Sequence, residues 1–492
     1  MILTSLSRFF SLSTLVFALV LWMPLALLLH EVISISLTTI NVITLIVVTI
    51  GCLGVAATTV ANASIKLWFP MPWFLLTSAI YYGFGPLLYF FGTPETIAYV
   101  DEYHQITDLS LFRANLLTVV GIAGVILIYM FLTKVFPLHG SLRANESVKK
   151  DVYEMQLLKK VAIISIVIGI PIKIFLVLPR ALGIWDVVLP GALEYFAVFS
   201  TLALVPLFLL WSTRRVKYRI VFLLLLCFEV SAAFVQLSKL EILKIAIVLI
   251  LAGILRGVTV RRIALIGVAL FMVYAMVLLP LVTYGRIAFN VMGLTRGSEA
   301  TQLIKDFATG SVQDDLASIL PGVQGWWSRL NYANAQAFAM EAYDTHEKGN
   351  TFELAMWTIV PRILYPNKPL TTIGDRFNEL VTGNPDSKSA PGMFAEGYWN
   401  AGWAGLIIVA MIMALCYWGW ERYTEKQLSV LQYQYLPVMW IGLFSAIQQD
   451  SWFVPSTLGI IPIAVVFHFL IKIFTKYQHF KKSHRFNGTK SL

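Results

Sequence analysis

Charged side chains and cysteines are what this sequence has least of. Of 492 residues only 13% are Asp, Glu, Lys or Arg, while 58% are hydrophobic and the mean hydropathy is +0.75. A soluble globular domain carries about 25% charged residues, so that class is excluded and the solvent of this chain is mostly lipid. Cys52, Cys227 and Cys416 all fall inside apolar stretches. They support neither a disulfide framework nor a thiolate metal site and read as small core residues. No HExxH spacing, Walker loop or GxGxxG is present among the 492 residues, which removes the basis for a nucleotide-driven pump and for a zincin-type centre. Internal repeats and low-complexity tracts are absent as well.

What is present is a succession of apolar runs. Crossing the hydrocarbon core as a helix takes about 20 mostly apolar residues, because no backbone group can be left unpaired in lipid. That rule predicts an all-α polytopic membrane protein with about twelve transmembrane helices. Their limits are 12–30, 34–59, 69–91, 112–133, 160–180, 193–211, 220–238, 241–257, 263–284, 401–420, 434–448 and 453–473. The first run follows Arg8 and ends "LALLLHEV" without a small-x-small cleavage pattern, so it reads as an uncleaved span rather than a signal peptide.

The net charge of +10 and pI near 9.3 raise the question of nucleic acid. The basic residues sort by topology instead. Arg8, Lys66, the stretch from Lys134 to Lys160, "STRRVKYR", "RGVTVRR", "ERYTEK" and "KYQHFKKSHR" fall in one set of alternate loops, which is therefore expected to be cytoplasmic. The opposite set contains "TPETIAYVDEYHQITD", without Lys or Arg, the short turn "QQDSW" and one long segment. Nucleic acid is discarded, and the basic tail reads as an anchor on an anionic leaflet. The organisation expected is helices one to nine in 1–284, a large extracytoplasmic loop in 285–400, helices ten to twelve in 401–473 and a cytoplasmic tail in 474–492, with both termini inside.

A loop that long within a polytopic chain is usually functional. "GWWSRLNYANAQAFAMEAYD", with Trp327, Leu330, Phe338 and Met340 among small and polar residues, predicts an amphipathic helix lying on the membrane surface, and "NTFELAMWTIV" a second one dipping in. Then comes "PRILYPNKP", whose Pro361, Pro366 and Pro369 stop helix formation and stiffen the turn. A rigid turn holding Arg362 and Lys368 suits an anion: Arg offers a bidentate fork and Lys a point charge. Arg286, Arg296, Arg329 and Arg376 add positive charge to the same segment, against the topological trend. The bland alternative is surface decoration.

"EGYWNAGWAG" follows, with Glu396, Tyr398 and Asn400 spaced by two. They would line one side of an extended approach to the membrane, or scatter if helix begins earlier. Glu396 would act as a general base in a partly apolar site, or as a structural partner of one of the arginines. Lys173 and Glu229 lie within spans and read as a buried ion pair. Arg180 and Lys239 sit near outer span ends, where they snorkel or face the same cavity as Arg362. The adjacent acids Asp101 and Glu102, or Asp314 and Asp315, lack the further ligands a metal needs, so no metal or other cofactor is expected.

The order of elements, with "IVPRILYPNKP" late in the long loop, "EGYWNAGWAG" leading back into the membrane and "SKLEILKIAIVLIL" before an apolar span, resembles the O-antigen polymerase (Wzy-type) family. The architecture is similar along the whole chain; the recognisable motifs lie in 286–405. One departure is Lys239, where an arginine is common. The resemblance implies a glycosyltransferase at the outer face of a bacterial inner membrane. Undecaprenyl-diphosphate would leave the donor glycan, and a hydroxyl of another lipid-linked repeat unit would attack. Arg362, Arg286 and Arg329 would hold the diphosphate, with Lys368, Lys239 and Arg180 as further substrate-binding cations. Glu396 would activate the acceptor, with Tyr398 and Asn400 orienting sugar. The product would be O antigen, capsule or exopolysaccharide, and a flippase and a chain-length regulator the partners. Three alternatives stay open. One is an O-antigen ligase, which differs in its acceptor. Another is a glycan transporter, which would carry repeats and mid-membrane polar groups, and the blandest is a purely structural membrane scaffold, since fold alone never implies activity.

Overall fold

The computed structural model describes residues 10–137, 152–184, 191–280, 282–283, 322–358, 374–384 and 388–487, apart from 212, 214 and 237, together with 360, 365 and 367–369. Among the described residues every regular element is helical. Ten helices are long and apolar enough to cross a membrane: α1 (Leu12–Ile33), α2 (Leu37–Asn62), α3 (Pro70–Phe91), α4 (Asp108–Val135), α5 (Met155–Ala181), α6 (Leu193–Trp211), α7 (Val216–Val235), α9 (Val260–Leu278), α11 (Met393–Ser429) and α13 (Val454–Ile473). The other two expected spans form the 17-residue helix α8 (Lys239–Leu255) and the 12-residue helix α12 (Leu436–Ile447), both short of a full crossing. Shortness does not expose α12, every residue of which is buried. The chain is an all-helical, polytopic membrane protein.

Helix starts follow the local chemistry. Ser11 and Ser36 accept from the backbone of Thr14 and Thr39 at the heads of α1 and α2, and Thr107 with Ser110 closes a capping box on α4. The apolar side chains divide by solvent. Leu265, Val268 and Met276 of α9 face outward, as a lipid-facing helix requires. Trp68, Phe74, Tyr82, Trp399, Tyr417 and Trp440 are fully buried in the main core.

The helix expected on the membrane surface does something else. Residues Ala333–Asp344 form α10, and Ala333, Ala335, Ala337, Ala339 and Ala342 are buried against α4 and α11. Small side chains let backbones approach closely, so this helix docks into the bundle instead of lying on it. Trp327, just before it, donates its indole N–H to Phe84 O at 3.1 Å and stacks on the Phe84 ring. That carbonyl closes a π-helical turn, Ala79–Phe84 in α3, where the regular ladder is interrupted and a backbone oxygen becomes accessible.

Candidate functional site

The end of the bundle covered by α10 holds a cavity of about 820 Å³. Six pieces of chain meet there. The π-helical turn of α3 supplies Tyr81, and the short helix Pro94–Asp101 and the loop after it supply Tyr99, Glu102 and Tyr103. Leu240 and Leu243 of α8 form an apolar wall, the stretch leading into α10 contributes Arg329 and Tyr332, and Lys388 and Ser389 close the rim. The last piece is the turn between α12 and α13, with Gln448, Asp450, Ser451 and Trp452.

That turn is held from three sides. Tyr82 donates its hydroxyl to Gln449 O at 2.6 Å, and Gln449 Nε2 donates to Tyr417 Oη at 2.8 Å. On the far side the Glu396 carboxylate accepts the backbone N–H groups of Phe453 and Val454, the latter at 3.4 Å. Asp450 therefore stands at the cavity wall on a fixed backbone. Its Oδ2 accepts from Tyr332 Oη at 3.3 Å, and Tyr332 packs edge-on against Tyr81 with ring centroids 5.4 Å apart. Burial pushes the Asp450 carboxyl up to about 6, and burial beside that carboxylate pushes the Tyr332 phenol well above its ordinary range. Tyr103 donates to Ser389 Oγ at 2.7 Å, and burial raises its phenol to about 12. These tyrosines are neutral hydrogen-bonding faces at physiological pH.

The residues singled out from the sequence divide sharply. Arg329 is in the cavity wall and exposed to its interior, and Lys239 immediately precedes Leu240. Arg362, Arg286 and Arg296 lie outside the described residues. Arg180 pairs with Glu194 at 2.9 Å on an exposed surface, away from the cavity. Lys368 donates to Val360 O at 2.9 Å and Lys368 N to Tyr365 O at 3.1 Å, so this lysine ties the ends of the turn together.

Helix begins at Met393, before the acid, so Glu396, Tyr398 and Asn400 do not share one side of an extended strand. Glu396 is fully buried, and its carboxylate meets Phe453 and Val454 N–H and the Thr351 hydroxyl. The geometry supports its structural role, with backbone donors and a hydroxyl in place of the arginine expected as partner. Asn400 accepts from Phe352 N at 3.1 Å and donates to Thr351 Oγ1 at 2.7 Å, fastening the residue 351–354 turn to α11. Tyr398 donates to Asp344 Oδ1 at 3.2 Å, within a cluster that also holds Arg113. None of these three lines the cavity.

The residues that reasoning from sequence passed over are Asp450, Tyr332 and Tyr81. The available signal was "QQDSW" itself, a lone acid among amides in a turn between two runs too close together for an ordinary loop. No protein-family model matches the chain, and no curated protein or solved structure does either.

Proposed function

We propose that this protein polymerises lipid-diphosphate-linked oligosaccharide repeat units into a surface polysaccharide, working from the cavity end of the bundle at the outer face of a bacterial inner membrane. The cavity carries this reading. It combines tyrosine and tryptophan faces, an arginine, a lysine and two carboxylates beside an apolar wall, the mixture a glycan on a lipid diphosphate requires. Aromatic faces suit the apolar sides of sugar rings while their hydroxyls address the ring oxygens. Arg329 offers a planar fork to the diphosphate, with Arg286 and Arg362 as the further cations that the sequence motifs suggest. The leaving diphosphate gains negative charge as the sugar–phosphate bond breaks, and a guanidinium fixed in a partly apolar wall stabilises that charge. The activated lipid holds the energy of the bond, so the reading needs no nucleotide.

The test is deletion of the gene in its own host and gel analysis of the surface glycan, with rescue by wild type or Arg329→Ala. Single repeat units on the acceptor, restored to a ladder by wild type and not by Arg329→Ala, are the expected outcome. Full-length polymer accumulating on its carrier outside the membrane would make the protein a ligase, and accumulation inside a transporter.

A further inference from the structure

The geometry points to Asp450 as the catalytic base of the proposed transfer, the group that takes the proton from the attacking sugar hydroxyl. This assignment rests on the glycan-transfer reading above and adds to it the residue and the atom that move the proton.

Three observations select it. Among the described residues, two carboxylates line the cavity, Glu102 and Asp450. Glu102 is exposed on the loop before α4, whereas Asp450 is half-buried in the wall. Solvation lowers the driving force for proton uptake, and a partly desolvated carboxylate is the better base. Second, no Lys or Arg among the described residues pairs with Asp450, since the ion pairs found join other groups. Its described side-chain partner is a neutral phenol, Tyr332, at 3.3 Å, a contact loose enough to yield to an incoming hydroxyl. Third, the turn is anchored on both flanks. Gln449 is held by Tyr82 and Tyr417, and Phe453 and Val454 by Glu396. Residues committed to holding a backbone so firmly around one acid serve the placement of that acid. The raised proton affinity of Asp450, from burial, agrees with this use.

The step balances as follows. The acceptor O–H bond breaks and its proton passes to a carboxylate oxygen of Asp450. The acceptor oxygen bonds to the anomeric carbon of the donor glycan. The bond from that carbon to the diphosphate oxygen breaks, and its electron pair departs with the polyprenyl diphosphate, whose charge Arg329 meets. Asp450 then returns the proton to water. One base and no protein nucleophile make a single displacement, which inverts the anomeric centre.

The experiment uses the full-length protein in proteoliposomes with lipid-linked glycan extracted from the host's own membranes, reading release of polyprenyl diphosphate and retention of the extract. Asp450→Asn is expected to keep binding within about twofold and to lose turnover by roughly a hundredfold or more, the range that general-base catalysis contributes. Asp450→Glu should restore part of that turnover, with its pH dependence displaced from wild type. Tyr81, Tyr82, Tyr274, Tyr332 and Arg329 face the same carboxylate or its phenol partner, and Glu102 and Lys388 share the cavity. The corresponding profile of Tyr332→Phe is therefore measured alongside. Turnover by Asp450→Asn within about threefold of wild type overturns the assignment and leaves the transferase reading standing. Absence of diphosphate release by wild type overturns both.

Discussion

Glu396 and Asp450 are two carboxylates on neighbouring pieces of backbone with opposite surroundings. Glu396 is fully buried and spends its oxygens on Phe453 N–H, Val454 N–H and the Thr351 hydroxyl; Asp450 faces the cavity. Replacing Glu396 with Gln puts an amide NH2 where one of those donors must be met. Leaving a buried donor unsatisfied costs roughly 1–3 kcal/mol. We expect Glu396→Gln to lower the thermal midpoint in detergent, with turnover falling only as far as the folded fraction does. An unchanged midpoint would remove the structural role. This difference was not legible in the sequence, where an acid at the mouth of a span has the same appearance whether its partner is a substrate hydroxyl or a backbone amide. The arginines were legible as a group. Arg329 reached the cavity wall because it precedes a helix that docks beside it, whereas Arg180 found Glu194 fourteen positions along the chain and stayed at the surface.

At the scale of elements, the spans were readable because transfer into lipid depends on composition over some twenty residues and on little else. Helix α10 was misread for the converse reason. Its alternating alanines give a weak apolar stripe, and only the presence of α4 and α11 makes that stripe a packing face. Polar groups inside the bundle were readable as a pair. Lys173 of α5 donates to Glu229 Oε2 of α7, and Thr201 of α6 donates to the same oxygen, so three helices share one charge centre. Removing one member leaves the other charge uncompensated, at a cost of about 3–5 kcal/mol, while replacing both by apolar groups is nearly neutral. Lys173→Met alone should therefore reduce the monodisperse fraction on size exclusion severalfold, and Lys173→Met with Glu229→Leu should recover it. Equal yields from the single variant and wild type would show the pair to be dispensable.

For the whole molecule, the orientation proposed from Lys and Arg follows the positive-inside rule and can be read directly. Reporter fusions at Lys149 and at Asn350 should report opposite sides of the membrane, with Asn350 on the cavity side. The same side for both would reverse the placement of the cavity and remove the supply route for an exported glycan. The helix that joins this cavity end to the rest is α11. It has 37 residues and is broken once, at Ala401 and Gly402; Gly402 has φ +60°, and a Cβ there would lie 2.9 Å from the Tyr343 ring. The two arms fold back on one another at that break, since a Cβ on Gly397 would lie 2.9 Å from Gly405 O, so the arm from Trp403 to Ser429, roughly 40 Å long, is the one that crosses a hydrocarbon core of about 30 Å. The arm from Met393 to Asn400, which carries Glu396, packs back beside the crossing arm at Gly405 and Val409 and does not extend it. A thicker or thinner bilayer would change the tilt of the crossing arm, and the Ala401–Gly402 joint passes that tilt to the short arm whose Glu396 holds Phe453 and Val454, so the lipid composition bears on the turn that carries Asp450.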